Sequence, residues 1–145
     1  MQDLPHYYRV SADANSDSAV VVSSQGLPKL ETAGPVEFGG PGDVWSPEAL
    51  LVAAVADCFV LSFRAIARAS KLEWNCVSCK TSGTLDKVEK VTQFTLFDIS
   101  VELTVPAGTD EEKAQRLLQR AEHHCLITNS LKAETRFTAV VHTVA

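Results

Sequence analysis

Positive charge is scarce in this 145-residue sequence. Thirteen Lys and Arg stand against 18 Asp and Glu, for a formal net charge of −5. That balance argues against a broad phosphate-binding surface and against adhesion to an anionic membrane, so neither nucleic acid nor a membrane is an expected partner. The opening residues, Met1-Gln2-Asp3-Leu4-Pro5-His6, lack a basic segment followed by an apolar run. No secretory signal is expected, and a cytoplasmic location follows. The longest apolar stretch, residues 49–63, is interrupted by Asp57 and Ser62 and falls short of the ~20 residues that span a bilayer. It reads as a buried helix of a soluble protein. There is no internal repeat and no low-complexity tract. Hydrophobic residues at 46% and charged residues at 21% leave a globular composition and disfavour disordered, collagen-like and coiled-coil readings. The length suits a single domain, residues 1–145, with enough chain for a core that needs no disulfides. Cysteine is limited to Cys58, Cys76, Cys79 and Cys125. In a reducing compartment these are expected to be thiols, redox centres or metal ligands rather than structural disulfides.

The pattern along the chain is mixed. Residues 7–24 alternate small, polar and valine-rich positions, which predicts two short strands joined near Asn15-Ser16-Asp17-Ser18. Glycine and proline crowd residues 26–42 and predict a long irregular loop with at most one short strand. Ser46-Pro47-Glu48 signals a helix start: a hydroxyl cap, proline at the first helical position and an acid in the first turn. That helix should run to about Ser70. Its first half is apolar on every side (Leu50, Leu51, Val52, Val55, Phe59, Val60, Leu61, Phe63), as in a helix without a solvent face. Residues 72–85 and 94–105 read as strands paired antiparallel through residues 86–90, with Phe97, Ile99, Val101, Leu103 and Val105 on one face. Thr109 with Glu112 forms a capping box for a second helix ending near His124, whose apolar stripe is Ala114, Leu117, Leu118 and Ala121. A last strand, residues 134–144, places Phe137, Ala139 and Val141 together.

The cysteines carry the candidate chemistry. Cys58, inside the apolar helix, reads by itself as a small core hydrophobe. Cys125 follows His123 and His124 at a helix end, where partial negative charge raises a thiol pKa; alone it is a poor attacking thiol, suited to resolving an oxidised one. Cys76 and Cys79 form a C-x-x-C, but on a strand an offset of three puts their side chains on opposite faces and blocks a local disulfide. A zinc site joining them to His123, His124 or Cys125 would be atypical, because structural zinc sites usually carry their C-x-x-C on a turn, with a second such pair. Glu48 lies ten residues before Cys58, about 15 Å of helix rise, so a site using both needs a helix break or a second chain. A two-fold homodimer with central helices would supply that chain and cover the apolar helix.

Gly39-Gly40-Pro41-Gly42, Ser46-Pro47-Glu48-Ala49-Leu50-Leu51, Ala53-Ala54-Val55-Ala56-Asp57-Cys58-Phe59 and His124-Cys125-Leu126-Ile127-Thr128-Asn129-Ser130-Leu131 together resemble the ordered signatures of the OsmC/Ohr family. The resemblance implies an α+β fold of antiparallel sheets around a long, central, buried helix, in an intertwined homodimer with active sites at the subunit interface. It implies a thiol peroxidase acting on small organic hydroperoxides, and in some members on hydrogen peroxide, without a cofactor or metal. By position, Cys58 matches the peroxidatic cysteine, Cys125 the resolving cysteine, and Glu48 the glutamate that orients an arginine toward the reactive sulfur. Read without the family, Glu48 is a helix-dipole residue. An external dithiol, in some members a lipoylated protein, would reduce the resulting disulfide. One departure stands out, because the family arginine falls at Asp17. An unassisted thiol with a pKa of about 8.5 is only slightly ionised at neutral pH, so another cation is expected; Arg9, Arg64, Arg68 and His124 are the candidates. Two rival readings stay open: a non-peroxidatic relative binding a small apolar ligand at the interface, and metal storage or sensing through the thiols and histidines.

Overall fold

The computed structural model describes residues 1–144, which divide into two compact units, residues 1–50 and residues 51–144. In the first, β1 (Ser11–Asp13), β2 (Val20–Ser23) and β3 (Leu30–Thr32) form an antiparallel sheet in that order, with Ala12 opposite Val22 and Val21 opposite Glu31. The expected hairpin turn closes where the Asn15 N–H donates to Ser18 Oγ at 2.9 Å. The glycine-rich loop carries β3 and a 3-10 turn, Val36–Phe38. Its tightness explains one glycine: a Cβ on Gly40 would collide with the Gly34 carbonyl, while the Gly40 N–H donates to the Pro35 carbonyl at 2.9 Å.

The helix signalled by Ser46-Pro47-Glu48 is α1 (Pro47–Ala69). Ser46 Oγ, buried, accepts the Ala49 N–H at 3.1 Å, as an N-cap does. At the other end Lys71 takes a left-handed φ of 54°, and its N–H and that of Leu72 reach back to the carbonyls of Arg68 and Ala67 at 3.2 and 2.9 Å. This Schellman arrangement, with Leu72 buried, uses the residues expected to begin the next strand. That strand, β4 (Cys76–Val88), therefore starts four residues later than the pattern predicts.

A two-residue turn, Glu89 and Lys90 with φ of 49° and 70°, joins β4 to β5 (Val91–Val105) in an antiparallel hairpin. After β5, α2 (Glu111–His123) and the single-turn α3 (Leu126–Asn129) return the chain to β6 (Glu134–Thr143). With a helical connection between them, β6 lies parallel to β5, with Leu96 opposite Glu134 and Leu103 opposite Val141. The second sheet, ordered β4-β5-β6, is thus mixed rather than wholly antiparallel as expected. The start of α2 also differs. Asp110, not Thr109, is its N-cap and accepts the Lys113 N–H at 3.0 Å. The Thr109 hydroxyl is engaged with the Pro106 carbonyl at 2.7 Å, closing the preceding turn, and is lost to the helix.

One apolar cluster fills the second unit. Val55, Phe59, Phe63 and Ala67, four residues apart on α1, join Phe97, Ile99, Val101, Leu103 and Val105 of β5 and the predicted stripe of α2. Phe59 meets Phe137 at 5.4 Å between ring centroids, and Phe63 meets Trp74 edge-on at 5.5 Å. Lys113 Nζ ties α2 to the end of α1 through the Ser70 carbonyl at 2.9 Å, and Gln115 Nε2 ties it to β6 through the Ala139 carbonyl at 3.1 Å. Within one chain only this stripe of α1 is buried. The helix is also long and apolar enough, by length and composition, to cross a bilayer, contrary to the length argument made from residues 49–63.

Candidate active site

The exposed side of α1 forms a groove. Ala54, Asp57, Cys58, Leu61, Ser62 and Ala65 follow one another at spacings of three or one, which places them on a single helix face. Leu126 and Ile127 of α3 close the other wall around a cavity of about 480 Å³. Among the described residues, the polar side chains lining it are those of Asp57, Cys58 and Ser62. Cys58 is half-buried, and its Sγ lies 4.0 Å from Ser62 Oγ one turn further on. Leu61 and Leu126 stand on the rim, 53% and 66% exposed.

Cys125 is held at the corner between α2 and α3. Its N–H donates to the Glu122 carbonyl at 3.3 Å, and its carbonyl accepts the Thr128 hydroxyl and the Asn129 N–H, each at 3.0 Å. Asn129 Nδ2 in turn donates to the His123 carbonyl at 3.1 Å. These bonds turn the side chain into the core, where Cys125 is 1% exposed. Burial pushes its thiol above the ordinary range; the N–H and hydroxyl of Thr128 oppose this, and the neighbouring Cys58 thiol adds to it. The direction agrees with the sequence expectation, but the cause is burial rather than the end of a helix. The structure thus brings Cys58 and Cys125 together, and all four cysteines are free thiols.

Cys76 and Cys79 behave as an offset of three on a strand requires. Cys76, opposite Thr104, is exposed, whereas Cys79, opposite Val101, packs against the core with its Sγ 3.5 Å from Thr81 Oγ1. Burial raises the Cys79 thiol above its usual value, the Thr81 hydroxyl lowers it, and the charge of Cys125 raises it. Among the described residues no three His, Cys, Asp or Glu side chains gather where they could hold a metal ion.

Glu48 occupies the first turn of α1, and its Oε2 is buried with no hydrogen-bond partner among the described residues. The helix between Glu48 and Cys58 is unbroken, so the ten-residue separation of about 15 Å stands within one chain. None of the cation candidates lines the groove. Arg64, Arg68 and His124 are exposed, and Arg9 lies 5.9 Å from the Tyr7 ring centroid. Asp17 is exposed in the turn between β1 and β2. Two contacts escaped the sequence reading. Ser62 was visible there only as an interruption of an apolar run, although its spacing of four from Cys58 on a predicted helix was a usable signal. Thr128 gave none, because its role depends on the corner at Cys125.

A family model described as "OsmC-like protein" matches residues 40–140. "Uncharacterized protein YmaD" of Bacillus subtilis (strain 168) is 26% identical over 137 residues, covering 91% of this chain and 89% of the relative. An OsmC-like protein of unknown function from Vibrio cholerae shares the fold with a TM-score of 0.83 at 21% identity, over 94% of this chain and 100% of the other. An organic hydroperoxide resistance protein from Legionella pneumophila superposes with a TM-score of 0.69 at 25% identity, over 97% and 99% of the two chains.

Proposed function

The chain belongs to the OsmC-like protein family, and from that premise we propose that it is a thiol-dependent peroxidase that reduces organic hydroperoxides. The observation that carries the reading is the meeting of Cys58, open to an apolar groove, with the buried thiol of Cys125. In the reaction, the Cys58 thiolate attacks the distal peroxide oxygen. An S–O bond forms, the O–O bond breaks, and the alkoxide leaves and takes a proton from water. Cys125 then attacks the Cys58 sulfenic acid; water departs and a disulfide joins the two sulfurs. An external dithiol, a lipoylated protein being one chemical type, returns both thiols by exchange. The alkyl walls formed by Ala54, Leu61, Ala65, Leu126 and Ile127 suit the organic part of such a peroxide.

The reading includes a homodimer working in the cytoplasm. The unburied side of α1 is covered by a second copy rather than by lipid, which removes Leu61 and Leu126 from water. Glu48 then acts across the interface, where a donor from outside its own chain satisfies the buried Oε2; an unpaired buried oxygen is otherwise costly. Steady-state consumption of tert-butyl hydroperoxide with a dithiol reductant tests the activity. Turnover lost in Cys58→Ser is the expected result, and equal rates in the variant and the parent protein would refute it.

A second reading has an observation of its own. Asp17 stands where the family arginine would be, and among the described residues no cation lines the groove, which favours a relative that binds a small apolar ligand without peroxide chemistry. Saturable binding of an apolar fluorophore to a protein inert to peroxide would select it.

A further inference from the structure

We propose that Ser62 is a catalytic residue of this site, its hydroxyl serving as the hydrogen-bond donor that holds the Cys58 sulfur as a thiolate. The inference rests on the reading of Cys58 as the attacking thiol and names the group that sustains it. Ser62 Oγ is 4.0 Å from Cys58 Sγ, and both side chains line the same groove. The pair sits at i and i+4 on an unbroken helix, so the backbone itself fixes their approach. While Cys58 keeps its proton, either group can donate. Once the thiol ionises it can only accept, and the serine hydroxyl becomes the donor by necessity. A hydrogen bond to a charged acceptor is the strong kind, and it shortens as charge develops on the sulfur.

The surroundings leave few substitutes within the chain. An ionised Asp57 carboxylate can only accept a hydrogen bond, and the other lining side chains are alkyl. Serine inside a helix commonly turns its hydroxyl back to the carbonyl four residues earlier. Here the partner found for Ser62 Oγ is the sulfur of that same residue.

The test compares the full-length protein with Ser62→Ala and Ser62→Thr. Alanine is favoured in a helix, so the first variant retains the fold. Two rates are followed by mass spectrometry of the Cys58 peptide across pH: alkylation by iodoacetamide and oxidation by cumene hydroperoxide. Ser62→Ala is expected to slow alkylation at pH 7 about tenfold, as loss of one charge-assisted bond implies, and to displace the rate profile to higher pH. Ser62→Thr, which keeps the hydroxyl, should restore most of the rate. Parent-like rates and an unmoved profile in Ser62→Ala would overturn the proposal. A displaced alkylation profile in a protein whose Cys58 ignores the peroxide would uphold the role of Ser62 and remove the peroxidase reading instead.

Discussion

The thiol of Cys125, buried where α2 turns into α3, has the Cys58 thiol as a neighbour, and that neighbour adds to the rise that burial imposes on Cys125. Burial of the Cys125 thiol gives the fold a pH dependence. Cys125 holds its proton above the pH at which an unfolded thiol loses it, so the folded state binds more protons there. Its contribution is fully present below the ordinary thiol range and is lost as pH rises through that range toward the folded value. Urea midpoints at pH 7 and pH 10 should therefore fall further in the parent protein than in Cys125→Ala. Parallel declines would contradict this.

Helix capping supplies a second prediction. Ser46→Ala and Asp110→Ala should each cost about 1 kcal/mol, since each removes an acceptor from a first-turn N–H, whereas Thr109→Ala should cost less than Asp110→Ala. Urea unfolding of the three variants measures the order.

Much of this architecture is legible in the residues. The cap and proline at Ser46 and Pro47 fix the start of α1, and the alternation of Phe97, Ile99, Val101, Leu103 and Val105 identifies the buried face of β5. Three features are not legible, for physical reasons. The direction of β6 depends on where α2 and α3 deliver the chain, which its own alternation cannot encode. Thr109 and Asp110 are both good caps, and the preceding turn decides between them by engaging the Thr109 hydroxyl. Cys58 and Cys125 can be linked in the sequence only by resemblance, because their proximity requires the fold to set α3 against α1. For the same reason the partners of Ser62 and Thr128 emerge only with the fold.

Close packing in the second unit predicts an intolerant position on β4. A Cβ at Gly83 would lie 2.8 Å from Phe94 Cε1 and 2.8 Å from Val52 Cγ2. Gly83→Ala should destabilise the protein by about 1–3 kcal/mol, the usual cost of overpacking. Thermal unfolding measures it, and an unchanged midpoint would mean that the two side chains move aside freely.

The half-covered helix makes a prediction about assembly. If a second copy covers the groove face of α1, Leu61→Glu should place a charge in that interface and shift the protein from twice the chain mass to the single-chain mass in sedimentation velocity. A parent protein that sediments as a single chain would rule out this part of the account.

The central claim is that Cys58 attacks a peroxide and Cys125 resolves it. The most direct measurement is to add one equivalent of cumene hydroperoxide to the reduced protein, count the thiols lost and map the product by peptide mass. The account predicts rapid loss of two thiols per chain and a single Cys58–Cys125 disulfide, with Cys76 and Cys79 still reduced. Slow, unselective oxidation that begins at the exposed Cys76, and that is the same in Cys58→Ser, would contradict it.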